Sequence, residues 1–237
     1  MLGALDDKID TNMAVRRASR DLGLALFDQA LERVGTEAAI GDLAMAITRG
    51  AAPKYTDAGL GVLVLNQKCV RDGWVSVQAA RWMRDVPLPE TKKARRHDVV
   101  VNSTGVGTLG RVARWLGREP IAVDGHVTVV RPDVARYSPV VFGYAMLAGQ
   151  PQIEALGEGS TGQTELSRGR LATLRIRVPS ANEASRIATS LEVLDDQAES
   201  LLRESHALAN LRDTLLPLLL SDKIRLREAE ELVGEAV

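Results

Sequence analysis

Apolar residues return in steps of three and four more regularly at the two ends of this chain than anywhere between. In the C-terminal stretch Ile187, Leu191, Leu194, Ala198, Leu201, Leu208 and Leu215 keep the rhythm, interrupted only by Ser205 and Arg212. Such spacing is the seam of a coiled coil. Near the N-terminus Leu2, Leu5 and Ile9 begin the same rhythm, Asn12 breaks it, and Val15, Ala18, Leu22 and Leu26 resume it. The two stretches are copies of each other. Leu2-Gly-Ala-Leu5-Asp6-Asp7 recurs as Leu191-Glu-Val-Leu194-Asp195-Asp196, and Ala18, Leu22 and Leu26 recur as Ala207, Leu211 and Leu215. Continuous helices over 5–34 and 182–216 would be roughly 45 and 50 Å long at a rise of ~1.5 Å per residue, lengths suited to packing side by side. Gly35 is expected to close the first helix and Pro217 to end or kink the second. Solenoid units recur every ~20 to 50 residues, whereas these two copies bracket one long unrepeated block. The competing reading is two amphipathic helices covering a core.

That block predicts mixed α and β structure. Gly61-Val-Leu-Val-Leu65, Val99-Val-Val101, Val127-Thr-Val-Val130 and Leu174-Arg-Ile-Arg-Val178 are short β-branched runs bounded by Gly, Pro and Asp, as strands are. The last alternates apolar residues with Arg, so one of its faces is expected to be wet. A helix is predicted from Pro139 to about Ala148, with Val140, Val141, Tyr144 and Leu147 on one face. The expected class is α+β: an N-terminal helix over 1–35, one mixed α/β domain over 36–180, and a C-terminal helix and tail over 181–237. Polar or glycine-rich turns separate the central elements at Thr48–Tyr55, Asn102–Gly110 and Gly157–Gln163. Their hydroxyl, amide and basic side chains are what phosphates and base edges require.

Composition changes this picture only in part. With 45% hydrophobic and 26% charged residues the chain is ordinary for a globular protein, and 3% aromatics forces an aliphatic core. Cys69 is the single cysteine, which excludes an internal disulfide and a cysteine-rich zinc site, and His97, His126 and His206 are too dispersed to suggest a metal centre. The acidic N-terminus does not resemble a secretion signal and no apolar run reaches the ~20 residues of a membrane span, so a cytoplasmic location and no membrane contact are expected. Charge is more informative in its distribution than in its total of -1: residues 36–180 hold 19 Lys/Arg against 13 Asp/Glu, and residues 181–237 hold 6 against 12. A basic domain joined to an acidic helix suits a polyanion at one part and a protein at the other. Solvated faces without a specific partner would give the same totals.

One turn imitates a dinucleotide site. Gly105-Val-Gly107-Thr-Leu-Gly110 fits G-x-G-x-x-G, follows a predicted strand, and has Asp124 at about the distance of a ribose-binding acid. That fold needs a full helix after the third glycine. Here Gly117 and Pro120 leave Arg111–Leu116 fewer than two turns, so the glycines are expected to serve the backbone turn. No Gly-Lys-Ser or Gly-Lys-Thr of a P-loop occurs. Ser103, Asp124 and His126 lack the nucleophile elbow that would make them a triad, and His126 is read as a hydrogen-bonded structural histidine.

Six segments in order carry a resemblance: Thr48-Arg-Gly-x-x-Pro-Lys-Tyr55, Asn66-Gln-Lys-Cys69, Asn102-Ser-Thr-Gly-Val-Gly-Thr-Leu-Gly-Arg111, Asp124-Gly-His-Val-Thr128, Gly159-Ser-Thr-Gly-Gln163 and Leu211-Arg-Asp-Thr-Leu-Leu-Pro217. Together, between duplicated helices, they resemble the specificity subunits of Type I restriction-modification systems. The resemblance implies that 36–180 is a target recognition domain and the helices are spacers. It implies a subunit without catalytic residues, cofactor or metal, which reads double-stranded DNA and is the platform for adenine-N6 methyltransferase subunits and a restriction-translocase subunit. Members of that family carry two recognition domains in the order domain, helix, domain, helix. This sequence shows one and so resembles a half-subunit, expected to work as a homodimer on a palindromic target or beside a second half-subunit. A third arrangement pairs the two helices antiparallel within one chain, which leaves a monomer with one reading head and weak specificity. A reading from another class is a coiled-coil adaptor whose basic domain binds protein or RNA.

Within the recognition domain, Arg49, Lys54, Lys68, Lys92, Lys93, Arg95, Arg96 and Arg111 are candidates for phosphate contacts, with Lys92–Arg96 standing out as a cluster. Asn66, Gln67, Thr104, Thr161, Gln163 and Thr164 are candidates for base edges. Tyr55 is counted with the DNA-facing set, although for Tyr55, Trp74, Trp82 and Trp115 a core or supporting role weighs more. Asp6, Asp7, Asp195 and Asp196 are expected on solvated helix faces or at helix starts.

Overall fold

The protein is described by a computed structural model covering residues 2–157, 165–221 and Gly234. Helix α1 (Leu2–Val34) leads directly into strand β1 (Gly35–Ala39), short helix α2 (Ile40–Leu43) and β2 (Ala44–Arg49). β3 (Val62–Leu65), β4 (Val70–Arg71), β5 (Gly73–Val75), β6 (Arg81–Met83) and β7 (Lys93–Ala94) follow, then β8 (Val99–Asn102), β9 (Val112–Arg114), β10 (Ile121–Val123) and β11 (Val127–Pro132). Helices α3 (Pro139–Ala148), α4 (Gln150–Ala155) and α5 (Arg168–Thr173) precede β12 (Arg175–Pro179) and the long helix α6 (Ala181–Leu220). The architecture is α+β. Two compact units result, one from Leu24 to Leu191 and one from the first 23 residues together with those from Glu192 onward.

In the larger unit a six-stranded sheet of order β2-β11-β8-β9-β5-β4 lies beside a four-stranded sheet of order β6-β3-β10-β7, and β1 pairs with β12 in a separate ribbon. The triple valine of β8 explains the layering. Successive side chains of a strand point to opposite faces, so Val99 and Val101 enter one core with Phe142, Tyr144 and Met146 of α3, while Val100 enters a second with Leu65, Ala94 and Val123. Val112 and Ala113 of β9 split the same way. A strand covered on both faces is apolar at every position rather than at alternate ones. For the same reason α3 buries every residue from Val140 to Met146, more than the single face its spacing predicts. The expected wet face of β12 is present: Arg175 and Arg177 are exposed, Ile176 and Val178 buried. Where a helix was conceivable after Gly110, the chain forms strand β9, and the dinucleotide arrangement is absent.

The smaller unit is an antiparallel helix pair. The Asn12 amide donates to Glu204 (3.1 Å), Arg16 Nε donates to the Ala198 carbonyl (2.9 Å), and Arg212 pairs with Asp6 (2.6 Å), so position falls on α6 as it rises on α1. Leu5, Leu208 and Leu215 form its apolar end. Of the predicted seam of α6, Ile187, Leu191, Ala198, Leu208 and Leu215 are buried, Leu194 and Leu201 are half-buried, and Ser205, expected to interrupt the seam, is buried with it. At Asn12, where the apolar rhythm breaks, α1 runs on as the expected continuous helix, and the amide faces the partner helix. Two expectations are corrected. Pro217 does not end α6 but lies inside it, and the helix continues to Leu220; the proline is exposed, where water satisfies the carbonyl it leaves free. Asp195, expected in solvent, is fully buried in the seam.

Candidate nucleic-acid interface

Topology alone brings four of the six sequence segments to one end of the larger unit. β2 and β8 both run antiparallel to β11, with Arg49 opposite Thr128 and Asn102 opposite Val127. The segments leaving β2 and β8 therefore emerge beside the Asp124-Gly-His126 turn that enters β11. β3 runs parallel to β10, with Leu65 opposite Val123. Hence Asn66-Gln-Lys-Cys69 starts beside the same turn, and Asp124 N–H donates to the Leu65 carbonyl (2.9 Å). Ala51 bridges Asp124 from the other side. Gly50 permits this approach, since a Cβ there would stand 2.1 Å from the Asp124 carbonyl oxygen.

Asp124 is the hub of the cluster. Its side chain is fully buried, one oxygen accepting from the Tyr55 hydroxyl (2.8 Å) and the other from the His126 N–H (2.8 Å). Burial, and then the hydrogen bond to Asp124, push the Tyr55 phenol up to about 12, so it remains a neutral donor. The His126 ring shares a 2.8 Å hydrogen bond between Nδ1 and the Thr104 hydroxyl, while Ser103 turns to Thr128 instead. No Ser-His-Asp relay is therefore assembled. Asn102 donates to the Gln67 carbonyl (3.0 Å), tying the second and third segments together. Glu165 bridges Thr104 and pairs with Arg49 (2.8 Å), which brings the chain just after residue 164 to the same place. Thr161, Gln163 and Thr164, together with the tail around Glu228–Glu231, lie outside the described residues.

The loop from Asn102 to Arg111 is held by its own hydrogen bonds and by three glycines in turn conformations. Gly105, Gly107 and Gly110 all take positive φ, 113°, 70° and 81°, conformations that cost an L side chain roughly 1 to 2 kcal/mol. The Thr108 and Leu109 N–H groups donate to Gly105 and the Arg111 guanidinium to the Gly107 carbonyl (3.1 Å). Between the first two glycines Val106 stands 95% exposed at the loop tip.

The predicted cations differ sharply in what they hold. Lys92 reaches the carbonyls of Arg49 and Gly50, fixing the start of the first segment. Lys93 and Arg95 both pair with Glu90 (2.9 and 2.8 Å), and these two, Arg95 foremost, hold its carboxyl down to about 2. Arg96 donates to the Leu116 carbonyl (2.7 Å). The Lys92–Arg96 run is thus bound to several partners rather than presented as one patch. A buried ion pair between Asp98 and Arg131 (2.7 Å) anchors the segment that carries it. Asn66 is 3% exposed and spends its amide on the Ala79 carbonyl and the Lys68 N–H. Lys54 and Lys68 are exposed, and Gln67 is half-buried. Trp82 and Trp115 line an open groove of about 660 Å³ with Leu63, Pro87, Pro120 and Ile121 on the four-stranded sheet.

Sequence reasoning missed Arg81. Its guanidinium lies over the Tyr55 ring, 3.4 Å from the centroid. The only local signal was an arginine before a tryptophan in a short run with no turn residues.

Among the described residues no group of three or more His, Cys, Asp or Glu is placed to hold a metal ion, and no helix is long and apolar enough to cross a membrane.

No protein-family model matches this chain, and no curated protein matches it. Solved structures do. The S subunit of a Type-I restriction-modification system from M. genitalium superposes with a TM-score of 0.61 at 16% identity, covering 91% of this chain and 57% of that one. The HsdS subunit from Thermoanaerobacter tengcongensis gives 0.51 at 17% identity, covering 91% and 56%. A chain from a structure of complex assembly and conformational transition of the type I R-M system gives 0.51 at 17%, covering 92% and 56%. This chain thus spans a little over half the length of each, and over that span its long helix, sheet domain and second long helix have the fold of Type I restriction-modification specificity subunits.

Proposed function

We propose that this chain is a non-catalytic specificity subunit of a Type I restriction-modification complex. In this reading the domain over 36–180 reads one half of a bipartite DNA target, and the chain recruits adenine-N6 methyltransferase and restriction subunits. One observation carries the reading: sequence segments far apart in the chain, which resemble that family, converge through Asp124 on one end of the domain, in a chain with the fold of such subunits. Phosphate contacts fall to the exposed Lys54 and Lys68, with Arg49 and Arg111 at the rim, and base contacts to Gln67, Thr104 and the stretch holding Thr161, Gln163 and Thr164. Lys92 and Asn66 instead hold the loops in place.

The second half-site is read by a second recognition domain, brought by another copy or another chain. The helices pair antiparallel within one chain, which by itself leaves a single reading head, so in this reading the second domain comes from outside the chain. Because α6 repeats α1, the pair has an approximate local two-fold axis, which maps Asn12 and Glu204 onto Leu201 and Val15. A platform of that symmetry presents equivalent surfaces in two directions.

The test is mapping of N6-methyladenine across the genome of cells that co-express the chain with its methyltransferase subunit, against cells lacking the chain. A bipartite motif that depends on the chain is expected, palindromic for two copies and asymmetric for two different chains. No new motif despite a formed complex would leave the adaptor reading in its place.

A further inference from the structure

Arg81 is held in a way that no other described cation near the interface is. The segment 54–56 runs along β6: Thr56 N–H donates to the Trp82 carbonyl (3.1 Å), Arg84 N–H to the Lys54 carbonyl (3.0 Å), and Tyr55 bridges Met83. This pairing sets the Tyr55 ring beneath Arg81, at 3.4 Å. The ring itself is fixed at both ends. Its hydroxyl is tied to the buried Asp124, and its body packs against Val64, Met83 and Ala122. Arg49, Lys93 and Arg95 are paired with carboxylates, and Lys92, Arg96 and Arg111 with carbonyls. Arg81 is exposed and has a ring under its face. Arg81 also hydrogen-bonds the Tyr55 side chain, but a stacked guanidinium carries five N–H groups, so in-plane donors remain at its edge.

A phosphate contact needs charge but no fixed plane, and flexible lysines supply it. Reading a guanine needs two donors held in the plane of O6 and N7, and that is what a guanidinium clamped on an immobile ring provides. We propose that Arg81 is a base-reading residue that engages a guanine edge at one position of the half-site, and that Tyr55 is its positioning platform. The inference rests on the DNA-reading function proposed above. It also removes Tyr55 from the residues that stack on bases, since its exposed face is already covered.

The test uses the full chain assembled with its methyltransferase subunit. Methylation motifs are compared for the wild type, Arg81→Ala and Arg81→Lys, with thermal unfolding of each. The wild-type motif is expected to contain a G·C pair at which both variants lose preference, by roughly tenfold to a hundredfold, the discrimination of one bidentate contact. The remaining positions stay unchanged. Arg81→Lys keeps the stem and the charge, so it separates the planar fork from electrostatics. In a variant-free arm, wild-type complex binds duplexes in which each guanine of the motif is replaced in turn by 7-deazaguanine, which lacks the N7 acceptor. One position is expected to lose about tenfold in affinity. The proposal is overturned if Arg81→Lys keeps the full wild-type preference, if Arg81→Ala weakens all sequences equally, or if no guanine is sensitive to loss of N7. A wild-type complex that methylates without any motif overturns the DNA-reading function itself, and this inference with it.

Discussion

The two copies of the repeated helix bury different chemistry at equivalent positions. Where α6 has Leu201, Ser205 and Leu208, α1 has Asn12, Arg16 and Ser19. All three α1 residues are buried, and Leu22, part of the apolar stripe its sequence suggests, is 52% exposed. Arg16 fits the seam because its partner there is the small Ala198, whose backbone carbonyl accepts a hydrogen bond from Nε–H, and its long stem packs like an apolar chain. Burial lowers the Arg16 pKa while Glu199 opposes the shift. Over this stretch α6 thus contributes two leucines beside a single serine and α1 a polar ladder, and a ladder fixes register in a way that leucines alone do not. The comparison shows that a duplicated helix need not keep a duplicated face. When the copies pair with each other, each face has only to complement the other.

The largest effect on this asymmetry is expected from the apolar side. Leu208→Ala should cost about 2–5 kcal/mol in urea unfolding of the full chain, as for a buried leucine whose neighbours cannot collapse. The repeated leucines give a sharper contrast. Leu211 packs beside Leu5, Leu208 and Leu215, so Leu211→Gln should cost about 1–2 kcal/mol. Its counterpart Leu22→Gln should stay within about 0.5 kcal/mol. Equal losses for the pair would mean that the two faces are equivalent after all.

Asn12→Leu probes the polar ladder. Its amide bonds only to the half-exposed Glu204, so the substitution should raise stability by about 1 kcal/mol while loosening register, seen as self-association in sedimentation. A loss of stability instead would show that the hydrogen bond outweighs the added apolar burial.

The legibility of the chain followed the same division between local and non-local causes. Val62–Leu65, Val99–Asn102 and Val127–Pro132 were readable as strands because β-branched runs bounded by turn residues favour extended backbone by themselves. Gly35–Ala39 was not, since Gly-Thr-Glu-Ala-Ala has little strand propensity and is extended by its ladder with β12, far along the chain. The convergence of the interface loops was visible only as a resemblance among segments; what joins them is Asp124, a single acid whose partners are set by tertiary structure. Charge was the least reliable guide. Lys92 belongs to the most conspicuous basic run yet holds backbone, while Arg81, an isolated arginine in sequence, is an exposed cation mounted on a ring.

The smallest effect separates the copies by pH. His206 of α6 corresponds to Arg17 of α1, so only one copy carries a group that titrates near neutrality. Burial first, and the charge of Arg16 second, lower the His206 pKa below its ordinary 6.5. The folded chain therefore takes up this proton less readily than the unfolded one. Above pH 6.5 the imidazole is neutral in both states and contributes nothing to the pH dependence. As pH falls through 6.5 the unfolded state is protonated first, and stability declines until the folded pKa is passed. Carboxylates add their own slope in acid, so the informative quantity is the difference between the wild type and His206→Gln, which cancels groups that the substitution leaves alone. The variant should lose less stability than the wild type between pH 7.5 and pH 5.5. Arg16→Gln should narrow that difference, because the charge that helps to depress the imidazole is gone; an unchanged difference would assign the whole shift to burial.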